Sequence, residues 1–451
     1  MAIVSIRSRK VAPTFSKVFF ITSFMLLLWQ GSLQAVLFLT YNVIVNYQKH
    51  AIAGFSWQTL QRILTTGLSF LKIFILARLL GPEQFGLFSL VMIALGVTES
   101  ITQTGVNITM LQSKQPIKYF LDTAFVIAII RGFLIGSLMI LMGYLMSNYY
   151  NEPSLFPMIS IVALVPIIKG FINPAIISWQ KNFQFARDSF YSSLRVTIEM
   201  LAQIVLALAL HSVWALCLGV IVGALFEVTL SFLMLKERPV FHYIKSRGEA
   251  IFKNAKWLSL GSLLSYLNDN IDDFLLGKIV GTYQLGIYHN AYALSHKTNY
   301  ELSKSAYHGV MPIFSKIAQE NERVRLKRAF FKSMFSTLLI ASLISLPLIL
   351  FPKLLVDLIL GEKWLEAINI LPLLALAGLI HTVANMTYAL IIAKKQYFYM
   401  NLHMIASLVL MILGIIYLGN IHGLVGAVLG IVLARAVALP IALLGVKKSL
   451  E

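Results

Sequence analysis

Charged residues and cysteine are both scarce in this sequence. Asp, Glu, Lys and Arg together make up 12% of the 451 residues, whereas soluble domains carry about 25%. The single cysteine, Cys217, lies in an apolar run, which excludes a disulfide framework and a cysteine-rich metal site. The sequence also has no HExxH, P-loop or nucleophile-elbow motif. These absences count against the metalloprotease, nucleotide-hydrolase and serine-hydrolase classes.

Hydrophobic residues are what the sequence has in excess. They make up 58% of the chain, the mean hydropathy is +0.79, and uncharged runs of about twenty residues recur. This pattern predicts an all-α polytopic membrane protein. We expect twelve transmembrane helices in two groups of six, at about 52–80, 86–110, 120–147, 154–178, 190–210, 213–235, 257–280, 284–313, 331–351, 367–393, 399–418 and 423–445.

Lys and Arg concentrate in every second junction between these segments. The linker 236–256 alone holds Lys236, Arg238 and four further basic residues, whereas the junctions at 81–86, 148–153 and 281–286 hold none. Cytoplasmic loops carry the excess of Lys and Arg, so both termini of the twelve-helix body are predicted to be cytoplasmic. The net charge of +18 is therefore attributed to loops in a membrane protein rather than to nucleic-acid binding.

An uncharged run at 18–48 does not fit this orientation, because a thirteenth helix would place the basic start of the chain outside. It could be a signal peptide, a re-entrant or interfacial helix, or an artefact of the chosen start site. The expected organisation is an N-terminal extension (1–46), an N-lobe (47–235), a cytoplasmic linker (236–256) and a C-lobe (257–446).

An internal repeat relates the two lobes. Trp57–Phe88 aligns without gaps to Trp257–Tyr288 with 8 identities in 32 positions, among them a shared Gly-x-x-Gln-x-Gly. Six helices per lobe is an even number, so the repeat is parallel, as in transporters that rock one half against the other. Within the repeat, Gly81–Gly86 is predicted to be a turn, with Pro82 starting the next helix, rather than a binding loop.

The first helix of each repeat has one polar face. At 100° per residue, Arg62, Ser69 and Lys72 share a side of the first helix, and their repeat partners include Asp269 and Asp272. A charge at the bilayer centre costs about 2.5–3.5 kcal/mol, so these faces should look inward, onto each other or onto a wet cavity. A salt bridge between the lobes with no role in substrate binding is the alternative.

Other charges within the predicted helices widen the candidate site. Lys297 and Lys304 lie on one stripe of the eighth helix with Glu301 and His308, as a cavity wall or a solvated end. Arg131 and Arg435 lie near mid-span, where each meets an anion or a distant carboxylate. The excess of cations in the N-lobe favours an anionic cargo. The candidate substrate-binding residues are Arg62, Ser69, Lys72, Arg131, Asp269, Asp272, Lys278, Lys297, Lys304 and Arg435.

Several segments resemble the polysaccharide biosynthesis proteins of bacteria, the oligosaccharide-unit flippases of the multidrug/oligosaccharidyl-lipid/polysaccharide exporter superfamily. The resemblance covers about 50–445. Its motifs are Gly54–Trp57, Leu76–Leu87, Asp272, Gly281, Leu285–Tyr288, Met311–Ser315 and Leu360–Trp364.

The resemblance implies two six-helix lobes in a V. It also implies transfer of an undecaprenyl-pyrophosphate-linked oligosaccharide across the inner membrane, alongside a polysaccharide polymerase and a chain-length regulator. The family has no short catalytic signature, and we expect no catalytic residue, metal or cofactor; a coupling ion, Na⁺ or H⁺, is left open.

Two other classes remain as alternatives. A multidrug or cation antiporter of the same superfamily would share the fold but would favour carboxylates where this chain has Arg62 and Lys72. A membrane-embedded polymerase or acyltransferase usually needs a large external loop or a polar catalytic cluster, and the longest predicted external loop, 352–366, is short.

Overall fold

The computed structural model describes residues 48–102, 105–253, 255–320 and 322–451. The described residues from Gly54 to Glu451 belong to one compact unit. The predicted N-terminal extension, 1–46, lies outside the described residues.

The described residues form helices and no strands, which confirms the predicted all-α class. The N-lobe contains α1 (Gln48–Leu79), α2 (Pro82–Ile101), α3 (Val106–Gln112), α4 (Ile117–Tyr150), α5 (Leu155–Val162), α6 (Leu164–Lys169), α7 (Ile177–Lys181), α8 (Phe185–Leu210) and α9 (Trp214–Met234). The linker contains α10 (Lys245–Phe252). The C-lobe contains α11 (Ala255–Ile279), α12 (Gly281–Leu294), α13 (His296–Gln319), α14 (Arg323–Leu350), α15 (Pro352–Ile359), α16 (Ala367–Ala393) and α17 (Tyr397–Leu450). Short 3₁₀ turns lie at Pro174–Ile176 and Glu362–Trp364.

Each of the twelve predicted segments is helical for most of its length. Within the described part of the chain, eight helices are long and apolar enough to cross a membrane, or nine if the bent pair Leu155–Lys169 and Pro174–Lys181 is one crossing. The number of crossings therefore remains a prediction, while the polytopic membrane fold is established.

The helix α17 is two helices that reverse at Gly423, where φ is +61°. A Cβ added at Gly414 would lie 2.9 Å from Cα of Gly430. In one straight helix those two residues would be about 24 Å apart, at 1.5 Å per residue. The two arms of α17 therefore pack back on each other, as the two predicted segments 399–418 and 423–445 require.

The two lobes meet at repeat-related glycines. A Cβ at Gly86 would lie 1.8 Å from the carbonyl oxygen of Thr282, and a Cβ at Gly286 would lie 1.8 Å from that of Pro82. Only glycine allows backbones to approach this closely. The contact is the same from both sides, as expected for halves related by a two-fold axis.

The start of α2 follows from the turn before it. Pro82 is the first helical residue, and the backbone N–H of Gly81 donates to the side-chain oxygen of Gln84 at 3.3 Å. Proline suits this position because its missing N–H has no partner in the first turn. The interpretation of Gly81–Gly86 as a turn and helix start is confirmed.

Candidate functional site

The two lobes are joined at one end, which we call the closed end, by two matched pairs of hydrogen bonds. Arg78 donates to the carbonyl oxygen of Leu358 at 2.7 Å, and its repeat partner Lys278 donates to that of Tyr149 at 2.5 Å. A second pair of hydrogen bonds crosses the lobes beside the first, from Tyr150 Oη to the Phe274 carbonyl and from Trp364 Nε1 to the Ala77 carbonyl, both at 2.9 Å.

Packing reinforces the closed end. Leu76 is 1% exposed and Leu276 is 0% exposed. The ring of Trp364, fully buried, packs edge-to-face on Phe85 at 5.3 Å between ring centroids. One apolar core includes residues of both lobes here, so separating the lobes at this end would expose apolar surface and break all four hydrogen bonds.

The opposite ends of α1 and α11, which we call the open end, are far less packed. Leu60 is 43% exposed and Leu260 is 48% exposed. The polar side of α1 is open as well, because Arg62 and Ser69 are also exposed. Ser69 donates only to the carbonyl of Thr65 one turn earlier, at 2.8 Å. The polar face of α1 is therefore accessible here.

Arg62 makes a direct contact between the lobes at the open end. Its Nη1 lies 3.1 Å from Ser305 Oγ, to which it donates, and 3.7 Å from Glu301 Oε2. The side chains of Arg62 and Glu301 are 46% and 42% exposed, so the pair is solvated and contributes about 0–1 kcal/mol. The partner of Arg62 is thus on α13 and not on the acidic face of α11.

Lys72 lies deeper, between charges of both lobes. Glu199 of α8 and Lys297 of α13 act on it electrostatically, and its side chain is half-buried. Among the described residues, no hydrogen bond or ion pair is made by Lys72. Lys297 is exposed. This part of the inter-lobe space therefore has positive charge that the protein itself does not neutralise by contact.

The carboxylates of α11 turn into the C-lobe. Asp272 is buried and accepts a hydrogen bond from Tyr288, and Asp273 lies 3.3 Å from His289 Nδ1. Asp269 is exposed, and the charges of Lys304 and Arg435 act on it. The structure therefore does not bring Lys72 and its repeat partner Asp272 together.

Arg435 lies inside the C-lobe within a group of histidines and tyrosines. Its Nη1 is buried without a hydrogen-bond partner, as are both ring nitrogens of His296. The rings of His296 and His381 are 5.2 Å apart, and His403 Nδ1 lies 2.5 Å from Tyr388 Oη. Sequence reasoning missed His381 and His403, although an ionisable residue inside an apolar helix is itself a signal of function.

Two candidates have structural partners away from the other candidates. Arg131 donates to the carbonyls of Thr102 and Glu99 at 2.8 and 3.0 Å, so it caps the C-terminal end of α2, where unpaired carbonyls favour a cation. Lys278 belongs to the closed end described above. Arg195 and Glu199, one turn apart on α8, form an ion pair at 3.9 Å.

A pocket of about 190 Å³ lies between α13, α16 and α17. One wall of the pocket is the face of α13 that contacts Arg62. Lys304 and His308 line the pocket and lie on that face, because they follow Glu301, the partner of Arg62, by three and seven residues. Sequence analysis singled out Lys304 but not the residues of α16 and α17. The residues that line the pocket are Tyr300, Lys304, Tyr307, His308, Asn385, Tyr388, Ile392 and Met400.

Comparison with solved structures shows the fold. The chain is similar to the lipid II flippase MurJ in its inward closed conformation, with a TM-score of 0.67 and 13% identity over 87% of this chain and 88% of MurJ. It is also similar to an inward-facing multidrug resistance MATE transporter of the MOP superfamily, with a TM-score of 0.63 and 16% identity over 86% of this chain and 94% of that one.

Sequence comparison gives the family. The chain is 23% identical over 403 residues to the lipopolysaccharide biosynthesis protein WzxC of Escherichia coli K12, covering 87% of this chain and 80% of WzxC. A family model described as polysaccharide biosynthesis protein matches residues 75–369, more than half of the chain. The resemblance that the sequence motifs suggested is thereby confirmed, and the chain belongs to the polysaccharide biosynthesis protein family.

Proposed function

We propose that this protein carries a polysaccharide precursor, an oligosaccharide linked to undecaprenyl pyrophosphate, across the bacterial inner membrane. The protein is a transporter and not an enzyme. Family membership, the relative WzxC, and a fold shared with a lipid II flippase and a MATE transporter support this function. A polysaccharide polymerase and a chain-length regulator are the partners that would use the delivered unit.

The contrast between the closed and open ends is the observation that supports transport by alternating access. The lobes are tied by four hydrogen bonds at one end, and the polar face of α1 is exposed at the other. A site held between two lobes that join at one end is reached from one side of the membrane at a time.

The basic loops give the direction of this opening. The closed end borders the junctions 81–86 and 281–286, which hold no Lys or Arg, and the open end borders the basic linker 236–256. By the distribution of basic residues, the open end faces the cytoplasm. The cavity is then open on the side where activated sugars and their lipid carriers are assembled.

The charges of the inter-lobe space suit a pyrophosphate. Lys72 and Lys297 contribute cations without a contacting carboxylate among the described residues. Arg62 makes an exposed, weak ion pair with Glu301 and a hydrogen bond to Ser305. The attraction between a cation and a phosphate is strongest in a partly dehydrated site. The polyprenyl tail can stay in the bilayer while the head group lies between the lobes.

The C-lobe interior supports coupling of this transport to a proton gradient. Its titratable groups lie close to each other and several lack partners: Asp269, Asp272, Asp273, His289, His296, His381, His403 and Arg435. Intramembrane chains of carboxylates and histidines are typical of proton relays. In proteoliposomes, collapsing the proton gradient should stop transport, whereas collapsing a sodium gradient should not.

The test of the function uses deletion of this gene in its own host. We expect surface polysaccharide to disappear and the lipid-linked unit to accumulate on the cytoplasmic leaflet. The wild-type gene should restore both, and Lys72→Ala should not, at equal protein level. Lys114→Ala, at an exposed position outside the cavity, is the matched control. Unchanged polysaccharide in the deletion strain would contradict the proposed function.

A further inference from the structure

We infer that the pocket between α13, α16 and α17 is a subsite for one pyranose ring of the cargo. This inference deepens the proposed function and rests on it.

The size of the pocket fits one sugar ring. Its volume is about 190 Å³, several times the roughly 30 Å³ of a water molecule. It is smaller than the roughly 300 Å³ at which pockets for drug-sized ligands begin. A whole oligosaccharide does not fit, so the pocket would hold a single ring while the other sugars extend into the inter-lobe space.

The lining combines aromatic faces with groups that both donate and accept hydrogen bonds. Tyr300, Tyr307 and Tyr388 supply rings, and the amide of Asn385 faces the same space. Aromatic rings cover the C–H faces of a pyranose, whereas its hydroxyls need both donors and acceptors. A phosphate would instead need several N–H donors, and Lys304 and His308 are the only basic residues in the lining.

The polar groups are held in place by contacts outside the pocket. Asn385 Nδ2 donates to Ser303 Oγ at 2.9 Å, and its carbonyl oxygen has no partner among the described residues. Tyr388 Oη is fixed by His403 Nδ1 at 2.5 Å. Such second contacts orient a binding group before the ligand arrives, which lowers the entropy lost on binding.

The pocket also adjoins the proposed pyrophosphate region. Arg62 of the N-lobe contacts Ser305 at 3.1 Å and Glu301 at 3.7 Å. Lys304 and His308 follow Glu301 by three and seven residues, on the same face of α13. The charge of Arg62 acts on His308. A sugar in the pocket would therefore lie next to a pyrophosphate bound near Arg62 and Lys72, which is the order of groups in a lipid-linked sugar.

The experiment compares two kinds of probe on the purified full-length chain. The first is a short polyprenyl pyrophosphate that carries one glucose, galactose or N-acetylglucosamine, and the second is the same polyprenyl pyrophosphate without sugar. We expect at least one sugar-bearing probe to bind about tenfold more tightly than the bare one, about 1.4 kcal/mol.

The variants then separate the two parts of the site. Tyr307→Leu and Asn385→Leu should reduce that tenfold preference to nearly one while the bare probe still binds, and Tyr307→Phe should keep it. Tyr417→Leu, at an exposed tyrosine outside the pocket, is the control. Lys72→Met should weaken both probes equally. Thermal unfolding of each variant verifies that it is folded.

Three results would overturn the inference. If sugar-bearing and bare probes bind the wild type equally, or if Tyr307→Leu and Asn385→Leu leave the preference intact, the pocket is not a sugar subsite, although the proposed function stands. If no polyprenyl pyrophosphate binds at all, the proposed function fails together with the inference.

Discussion

The two ends of the repeated helices α1 and α11 share a sequence origin but differ in what surrounds them. At the closed end, Leu76 and Leu276 are buried. Arg78 and Lys278, both exposed, each donate a hydrogen bond to the other lobe. The next helices, α2 and α12, meet there at Gly86 and Gly286. At the open end, Leu60 and Leu260 are exposed. The repeat therefore supplies a symmetric contact where the lobes meet, whereas its polar faces diverge into a basic α1 and an acidic α11.

The divergence explains why the two polar faces do not simply pair. Asp272 and Asp273 find Tyr288 and His289 within their own lobe, so the cations of α1 are not neutralised by them. Arg62 instead meets Glu301. A membrane protein can keep charge in its interior only if it is paired or hydrated. Here Asp272 and Asp273 find partners within the C-lobe, so they leave Lys72 of the N-lobe available.

The largest effect should come from substituting the two glycines at which the lobes meet. Gly86→Ala and Gly286→Ala would place a Cβ 1.8 Å from a backbone oxygen, which forces the lobes apart at the cost of several kcal/mol. We expect loss of transport and new exposure of the closed end to a water-soluble thiol reagent in a variant with a cysteine there. Gly67→Ala and Gly261→Ala, on the preceding helices α1 and α11 at the open end, meet nothing within 4 Å and should be tolerated. Equal tolerance at all four positions would refute the glycine contact.

A second prediction separates cargo binding from a simple salt bridge at the open end. Arg62→Ala should abolish polysaccharide production because it removes a cation that faces the cargo. Glu301→Gln removes the same ion pair but leaves Arg62 free, so it should retain most of the activity. Since the pair is exposed and worth about 0–1 kcal/mol, neither variant should change protein level. Equal loss in both variants would favour the structural salt bridge.

A smaller effect is expected from the paired cations of the closed end. Arg78→Met and Lys278→Met each remove a hydrogen bond across the lobes. Both cations are exposed, so each bond contributes about 0–1 kcal/mol. Each should shift the population toward the outward-open form, measured as greater labelling of a cysteine placed at the closed end. The double variant should shift it further. Arg78→Lys should keep most of the contact, and no shift in any variant would show that packing alone holds the end shut.

The smallest effect is expected at Arg131. Its guanidinium caps the carbonyls of Glu99 and Thr102, so Arg131→Lys should lower the thermal unfolding temperature slightly and leave cargo binding unchanged. A strong loss of cargo binding without loss of stability would contradict this structural role and show that Arg131 contributes to cargo binding.

Composition and periodicity were enough for the fold class, the segment positions and the Pro82 helix start, because hydrophobic runs and turn residues are local signals. They did not give the break between α12 and α13 or the partners of Arg131 and Lys278, since these depend on which helices meet. Arg62 does face the other lobe, as the helical periodicity indicated. The contribution of Asn385 and Tyr388 to the pocket could not be read locally, because they lie about 80 residues from Lys304 in the chain.

The most direct test of the central claim is sided labelling at Ser69 on a Cys217→Ala background. In sealed membranes, Ser69→Cys should react with a membrane-impermeant maleimide applied from the cytoplasmic side and should be protected from the other side. Labelling of Ser69→Cys only from the periplasmic side, or from neither side, would contradict a cavity that is open to the cytoplasm and closed at Gly86 and Gly286.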